Sequence, residues 1–202
     1  MKELKQATAR LDTIWDEEAD QAAERFAGAA EPAGLVDVAY AEVGSPIGDL
    51  IVASTRRGLA KVAFPNESPD IVLERLAREV SPRILRVPAK LDDVRRQLEE
   101  YFAGRLQSFS LRVDLNRLAP FQRSVLKATK TIPYGRVSTY RRVADKAGNA
   151  AAVRATGNAL GANPVPIVVP CHRVLRTDGT LGGYGGGLEV KRLLLDLEEA
   201  NV

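Results

Sequence analysis

The stretch 163–173, NPVPIVVPCHR, decides how the second half of this chain folds. Its prolines stop the preceding helix, because proline lacks an amide hydrogen and clashes with a helix interior. The apolar run Ile167-Val168-Val169 predicts a buried segment that leads directly to Cys171 and His172. Those two are the only cysteine and the only histidine in 202 residues. The stretch therefore predicts a site that contains one thiol and one imidazole.

Working outward, the sequence on both sides of this stretch predicts a mostly helical domain over residues 116–202. Ser138 or Thr139 can cap a helix that ends near Lys146. The turn Gly148-Asn149 and a helix of small residues follow, which is the pattern of a helix-turn-helix. Helices are predicted over residues 121–131, 138–146, 150–161 and 188–199, and a glycine-rich loop over residues 182–187.

Residues 35–115 predict a small α/β domain that contains an antiparallel sheet. Alternating apolar and polar residues are typical of half-buried strands, and two further segments have the apolar spacing of helices. The predicted strands are 36–43, 50–54, 59–64 and 109–115, and the predicted helices are 69–79 and 90–103. Residues 1–34 predict an acidic helical extension, with Trp15 as its anchor. The fold class predicted for the whole chain is α+β.

The overall composition excludes several classes of protein. With 45% hydrophobic and 27% charged residues, the chain is neither collagen-like nor wholly disordered. No apolar run approaches the roughly 20 residues of a membrane span, so no membrane partner is expected. One cysteine excludes an intramolecular disulfide and makes a thiolate zinc site implausible. The chain suits a reducing cytoplasm, and no metal is expected.

Charge is distributed unevenly along the chain. Residues 1–31 hold four basic and eight acidic groups, whereas residues 120–177 hold ten basic groups and one acid, a net charge of +9. Such a bias predicts a polyanion partner. The alternative is a solvated basic face that binds no partner.

The Cys171-His172 pair can support nucleophilic chemistry. A thiol with an ordinary pKa of about 8.5 is a weak nucleophile until it loses its proton. An imidazole can take that proton, here through water, because neighbouring side chains need not face each other, and a carboxylate such as Glu198 can orient the imidazole. The alternative is a buried small thiol beside a surface histidine.

Residues 132–198 also hold an ordered series of short motifs with fixed spacings. The series consists of Ile132-Pro133-Tyr134-Gly135, Val137, Tyr140, Arg154, the stretch 163–173, Gly179, Gly182, Tyr184, Gly186-Gly187-Leu188, Lys191, Leu194 and Glu198. It resembles the O6-alkylguanine-DNA alkyltransferases, also called methylated-DNA–protein-cysteine methyltransferases. The resemblance implies binding of duplex DNA that contains O6-alkylguanine, base flipping, and irreversible transfer of the alkyl group to the cysteine. It implies no cofactor, and we expect a monomer.

The resemblance also implies a role for each residue of the reacting centre. Cys171 corresponds to the alkyl acceptor, His172 to a base that acts through water, and Glu198 to the carboxylate that holds it. Asn163 corresponds to the residue that braces the acceptor loop. Tyr140 corresponds to a tyrosine that meets phosphate and the flipped base.

Further residues correspond to DNA contacts and to the base pocket. Arg154 resembles the arginine that fills the gap left by the flipped base. The small residues Ala155 and Gly157 let the second helix approach the DNA backbone closely. The remaining implied contacts are the pocket walls Tyr184 and Pro166, the backbone of Val174 and Gly185, and Arg173. Gly185 departs from the family, in which many members have serine at this position.

Two other functions stay open at this point. A non-catalytic, alkyltransferase-like lesion binder would lack the acceptor cysteine, so Cys171 argues against it. A helix-turn-helix regulator would carry polar readers on its recognition helix, whereas alanine and glycine dominate this one.

Overall fold

The computed structural model describes residues 34–200 together with Ala22, Arg25, Ala29 and Ala30. Most of the predicted acidic extension, residues 1–34, lies outside the described residues, as does Trp15. Within the part that is described, no helix is long and apolar enough to cross a membrane. The architecture is α+β, with a sheet in the first half and helices in the second.

The first domain is built on a four-stranded sheet. Its strands are β1 (Val38–Val43), β2 (Leu50–Thr55), β3 (Gly58–Ala63) and β4 (Ile84–Arg86), in the order β3-β2-β1-β4. The first three strands pair antiparallel, but β4 pairs parallel with β1, so the prediction of an antiparallel sheet was wrong at this edge. A helix carries the chain across the sheet before β4, which makes a parallel return possible. Asp37 fixes this edge by accepting two hydrogen bonds of 2.8 Å from Arg83.

The two faces of the sheet pack against different helices. Helix α1 (Pro69–Glu79) packs Val72 and Leu76 against one face. Helix α2 (Asp92–Phe102) follows a 3-10 turn, Pro88–Leu91, and contributes to the core on the other face, which continues into the second domain. Because successive residues of a strand point to opposite faces, β2 serves both cores.

The predicted strand 109–115 was wrong. In the structure this segment forms one isolated bridge, between Leu59 and Val113. The ladder stops there because Asp114 turns the chain, accepting a hydrogen bond of 3.2 Å from the backbone of Asn116.

The second domain consists of four helices and a two-stranded parallel sheet. They are α3 (Pro120–Lys130), α4 (Tyr140–Lys146), α5 (Val153–Gly161), α6 (Leu188–Leu197), β5 (Ser138–Thr139) and β6 (Val174–Leu175). Thr139 caps α4, accepting a hydrogen bond of 3.3 Å from the Arg142 amide, as predicted. Helix α5 begins three residues later than predicted, because Asn149 accepts a hydrogen bond from the Ala151 amide and holds a turn there.

The two domains share one core, and their backbones meet at β3. The amide of Val62 donates a hydrogen bond of 2.8 Å to the carbonyl of Pro164, in the stretch that leads to Cys171. The boundary between residues 115 and 116 stays a prediction.

Candidate active site

Cys171 begins a short 3-10 turn, Cys171–Arg173, that the preceding loop presents to a cleft. Asn163 makes three hydrogen bonds within this loop. Its side-chain amide donates to the Val169 carbonyl at 2.9 Å and to the Cys171 sulfur at 3.1 Å, and its oxygen accepts from the Val165 amide at 3.0 Å. Ile167 has a φ of 71°, which is rare for a β-branched residue and is tolerated where the surrounding structure enforces it.

The thiol of Cys171 is protonated in the resting site. Its side chain is nearly buried, and burial raises the pKa of the Cys171 thiol. The hydrogen bond from Asn163 and the nearby charge of Lys191 act in the opposite direction and favour the thiolate. A thiol in this environment can act as a nucleophile only after a base has removed its proton.

His172 has the arrangement that such a base requires. The imidazole is fully buried, and its Nε2 lies 2.8 Å from Oε1 of Glu198. Burial lowers the pKa of His172, although Glu198 opposes this effect, so the ring is neutral at rest. An ionised carboxylate only accepts hydrogen bonds, which places the ring proton on Nε2. Nδ1 is then an acceptor, and it is buried without a partner among the described groups.

Glu198 lies at the C-terminal end of α6 and is almost fully buried. Besides His172, it accepts hydrogen bonds from the hydroxyl of Tyr101 at 2.7 Å and from two guanidinium nitrogens of Arg173 at 2.8 and 2.9 Å. The Gly135 amide is a weaker donor at 3.4 Å. Burial alone would raise the pKa of Glu198, but the hydrogen bonds from His172 and Arg173 hold it at about 2.

The structure corrects the prediction that Arg173 contacts DNA. Its guanidinium is buried, is bound to Glu198, and also donates to the Ile132 carbonyl at 2.6 Å. A side chain that neutralises an internal carboxylate is not free to reach a phosphate. The resemblance implied a DNA contact, whereas the partner that Arg173 binds in the structure, Glu198, lies 25 residues further along the chain.

Two residues of this site had no role in the sequence interpretation. Lys191 is fully buried and donates from Nζ to the carbonyls of Val174 and Gly182, at 2.7 and 3.3 Å. Burial lowers the pKa of Lys191 to about 8. The sequence signal that could have identified Lys191 is its place among the buried apolar residues of α6. Tyr101 reaches the site from α2, and nothing in its local sequence distinguishes it from a core aromatic.

The cleft beside Cys171 has a volume of about 790 Å³ and lies between the two domains. The predicted pocket residues Pro166, Tyr184 and Gly185 line it with Cys171. Phe64 of the first domain, not foreseen from sequence, contributes another wall, with its ring 5.3 Å from that of Tyr184. Val174 is fully buried, and its carbonyl accepts a hydrogen bond from Nζ of Lys191.

Tyr140 begins α4 and packs over Gly182 of the glycine-rich loop. A Cβ atom at Gly182 would clash with the hydroxyl and ring of Tyr140, so any other residue there would force the tyrosine side chain to move. Gly157 of α5 faces the same ring, and a Cβ atom there would be 3.9 Å away. Arg154 and Ala155 lie exposed on the first turns of α5.

Comparison with known proteins assigns both halves of the chain. Residues 38–115 match the family model "6-O-methylguanine DNA methyltransferase, ribonuclease-like domain", and residues 120–200 match the "DNA binding domain" of the same methyltransferase. A methylated-DNA–protein-cysteine methyltransferase of Methanosarcina barkeri is 40% identical over 167 residues, 81% of this chain and 98% of that protein. The corresponding Methanosarcina acetivorans protein is 42% identical over 170 residues, 79% of this chain and 97% of that protein.

A solved structure agrees with these matches. The crystal structure of Mycobacterium tuberculosis OGT in complex with DNA is 38% identical, covers 80% of this chain and 92% of its own, and superposes with a TM-score of 0.70. The sequence matches and the fold thus agree, and the chain belongs to the methylated-DNA–protein-cysteine methyltransferase family.

Proposed function

We propose that this protein repairs DNA by moving the alkyl group of O6-alkylguanine from duplex DNA onto the sulfur of Cys171. The bond between the alkyl carbon and O6 breaks and a carbon–sulfur bond forms. The base that leaves keeps the electron pair and takes up the proton that the thiol released, which gives unmodified guanine. The observation that carries this proposal is the Cys171 thiol in the cleft, held by Asn163, beside the neutral imidazole of His172. The names of the relatives support the same reaction.

The neighbouring residues supply the proton transfer that this reaction needs. His172 takes the thiol proton at Nδ1 through a water molecule, since that nitrogen is its free acceptor. Glu198 stabilises the imidazolium that forms and keeps the ring in one orientation. The thioether product is stable, so each molecule reacts once and no cofactor takes part. We further propose that the protein acts as a monomer in the cytoplasm.

Duplex DNA binds, in this proposal, to the surface of α4 and α5, which act as a helix-turn-helix. Without the buried Arg173, residues 120–177 still hold nine basic groups and one acid, and this positive charge supports the surface, as does the DNA complex of the Mycobacterium tuberculosis relative. The target guanine must leave the base stack to reach a thiol in a cleft. Arg154, exposed on α5, then fills the vacated position, while Tyr140 and Tyr184 border the flipped base.

Incubation with duplex DNA that carries one O6-methylguanine, followed by mass analysis, tests the proposal. We expect the peptide that contains Cys171 to gain one methyl group, and uptake to stop at one per chain. A non-catalytic lesion binder would bind the same DNA with no gain in mass. A helix-turn-helix regulator would bind without preferring the modified base.

Arg154→Ala should slow repair of duplex DNA by roughly a hundredfold, because stacking against an inserted side chain offsets an unstacking cost of a few kcal/mol. Transfer from the free modified base should stay within about twofold, since no duplex has to be opened. The measurement is the single-turnover rate constant for both substrates at saturating concentration.

Arg142→Ala is the matched control, since Arg142 is an exposed cation on α4. Each variant removes one positive charge, so each should reduce the slope of log affinity against log salt by about one. Only Arg154→Ala should show a rate defect on saturating duplex. Equal losses on duplex and free base would contradict a role for Arg154 in flipping.

A further inference from the structure

The carboxylate of Glu198 receives one hydrogen bond from outside its own domain. His172, Arg173 and Gly135 belong to the second domain, whereas Tyr101 lies on α2 of the first. The Tyr101 hydroxyl donates to Oε1 at 2.7 Å, and the same oxygen accepts from His172 at 2.8 Å. Arg173 also donates to Oε1, at 2.9 Å, so these three donors share the charge of one oxygen atom.

Tyr101 has little freedom to do anything other than donate to Glu198. Its side chain is fully buried, and its ring lies 5.5, 5.2 and 6.3 Å from the rings of Phe102, Phe109 and Tyr134. Burial, together with the negative charge of Glu198, raises the pKa of Tyr101. The hydroxyl therefore keeps its proton and remains a donor at any pH at which the protein functions.

We propose that Tyr101 is a positioning residue for the transfer reaction, whose hydroxyl orients the Glu198 carboxylate and limits how strongly Oε1 binds the imidazole of His172. This inference rests on the proposed function, in which His172 is the base. A buried carboxylate that loses one hydrogen-bond donor binds its remaining donors more strongly, because hydrogen bonds to a shared acceptor weaken one another. The first domain thereby acts on the chemistry at Cys171.

The other groups around the imidazole do not substitute for this hydroxyl. Among the described residues, four groups face the imidazole of His172. Lys191 lies in α6 and Glu198 at its C-terminal end, Arg173 belongs to the same 3-10 turn as His172, and the ring of Tyr184 lies 6.3 Å away. All of them remain when the Tyr101 hydroxyl is removed. Oε1 would then accept hydrogen bonds from His172 and Arg173, and both of these hydrogen bonds would become stronger.

Tyr101→Phe tests the proposal in the full-length chain, with two readouts. The first is the chemical shift of the Hε2 proton of His172, which is unambiguous because the chain has one histidine. We expect this signal to move downfield, since the hydrogen bond to Oε1 becomes stronger. The second is the transfer rate constant, which should fall about tenfold on both O6-methylguanine duplex and the free modified base, because a carboxylate that has lost the contact that orients it no longer holds the imidazole in the productive position.

Two further variants separate this role from packing. Phe109→Leu alters a neighbour of the same ring and removes no polar group, so the Hε2 signal should stay in place. Replacing Tyr101 with 3-fluorotyrosine keeps the ring and makes the hydroxyl a stronger donor, so the Hε2 signal should move upfield. This variant decides the question if Tyr101→Phe fails to fold.

An Hε2 signal that is unchanged in both Tyr101 variants would overturn the proposal. So would a rate defect confined to duplex DNA, because a positioning residue for the base acts equally on both substrates. A wild-type chain that gains no methyl group would instead refute the proposed function, while the Hε2 signal would still report whether Tyr101 polarises Glu198.

Discussion

Cys171→Ala should abolish methyl uptake and leave DNA binding nearly intact. No other cysteine is present in the chain to take the alkyl group. Cys171→Ser should lower the rate constant by at least roughly a thousandfold, because a hydroxyl is a far weaker nucleophile than a thiolate at neutral pH. Affinity for duplex DNA should change by less than about threefold, since phosphate contacts supply most of it.

Methyl transfer and DNA affinity should be measured on the same preparations of wild type and both variants. Serine can still accept the hydrogen bond that Asn163 gives to the Cys171 sulfur, so Cys171→Ser tests the nucleophile with the loop contact kept. Stoichiometric uptake by Cys171→Ser at the native rate would refute the assignment of the acceptor. Loss of DNA affinity in both variants would show that the loop, rather than the charged surface, governs binding.

Local sequence signals predicted most of the elements, because the forces that set them are local. The cap at Thr139 and the helix 69–79 both depend on residues within a few positions of one another. The strand β4 was missed for the opposite reason. It has three half-buried residues, and its place is set by pairing with β1, more than forty residues earlier.

The residues of the site also fall into a group that the sequence predicted and a group that it did not. The Asn163, Cys171, His172 and Glu198 positions followed from motif order, and the structure brings these four together. Which donors surround the carboxylate did not follow, because Arg173 reaches it only after the second domain folds and Tyr101 only after the two domains pack. Tyr101 precedes Glu198 by 97 positions, and no local pattern couples residues at that distance. Side-chain partners of a buried charge are a tertiary property.

Glu198→Gln should be the most destabilising single substitution in the site. Arg173 would keep its charge in the interior with no carboxylate opposite it, and breaking a buried ion pair from one side costs about 3–5 kcal/mol. The transfer rate should fall together with stability, because a glutamine cannot stabilise the imidazolium of His172. Chemical unfolding at neutral pH measures the first effect, and single-turnover transfer measures the second.

The pH dependence of this loss identifies its cause. The pKa of Glu198 is lowered from 4.5 to about 2 in the folded protein. The carboxylate therefore stabilises the fold fully above pH 4.5, and this contribution, about 3 kcal/mol for such a difference in pKa, disappears as the pH falls through 2. The gap in unfolding free energy between wild type and Glu198→Gln should accordingly be widest near neutral pH and close toward pH 2. Glu199→Gln, at an exposed neighbour, should show no such gap. A gap that stays constant with pH would mean that shape and packing at position 198, not its charge, hold the site together.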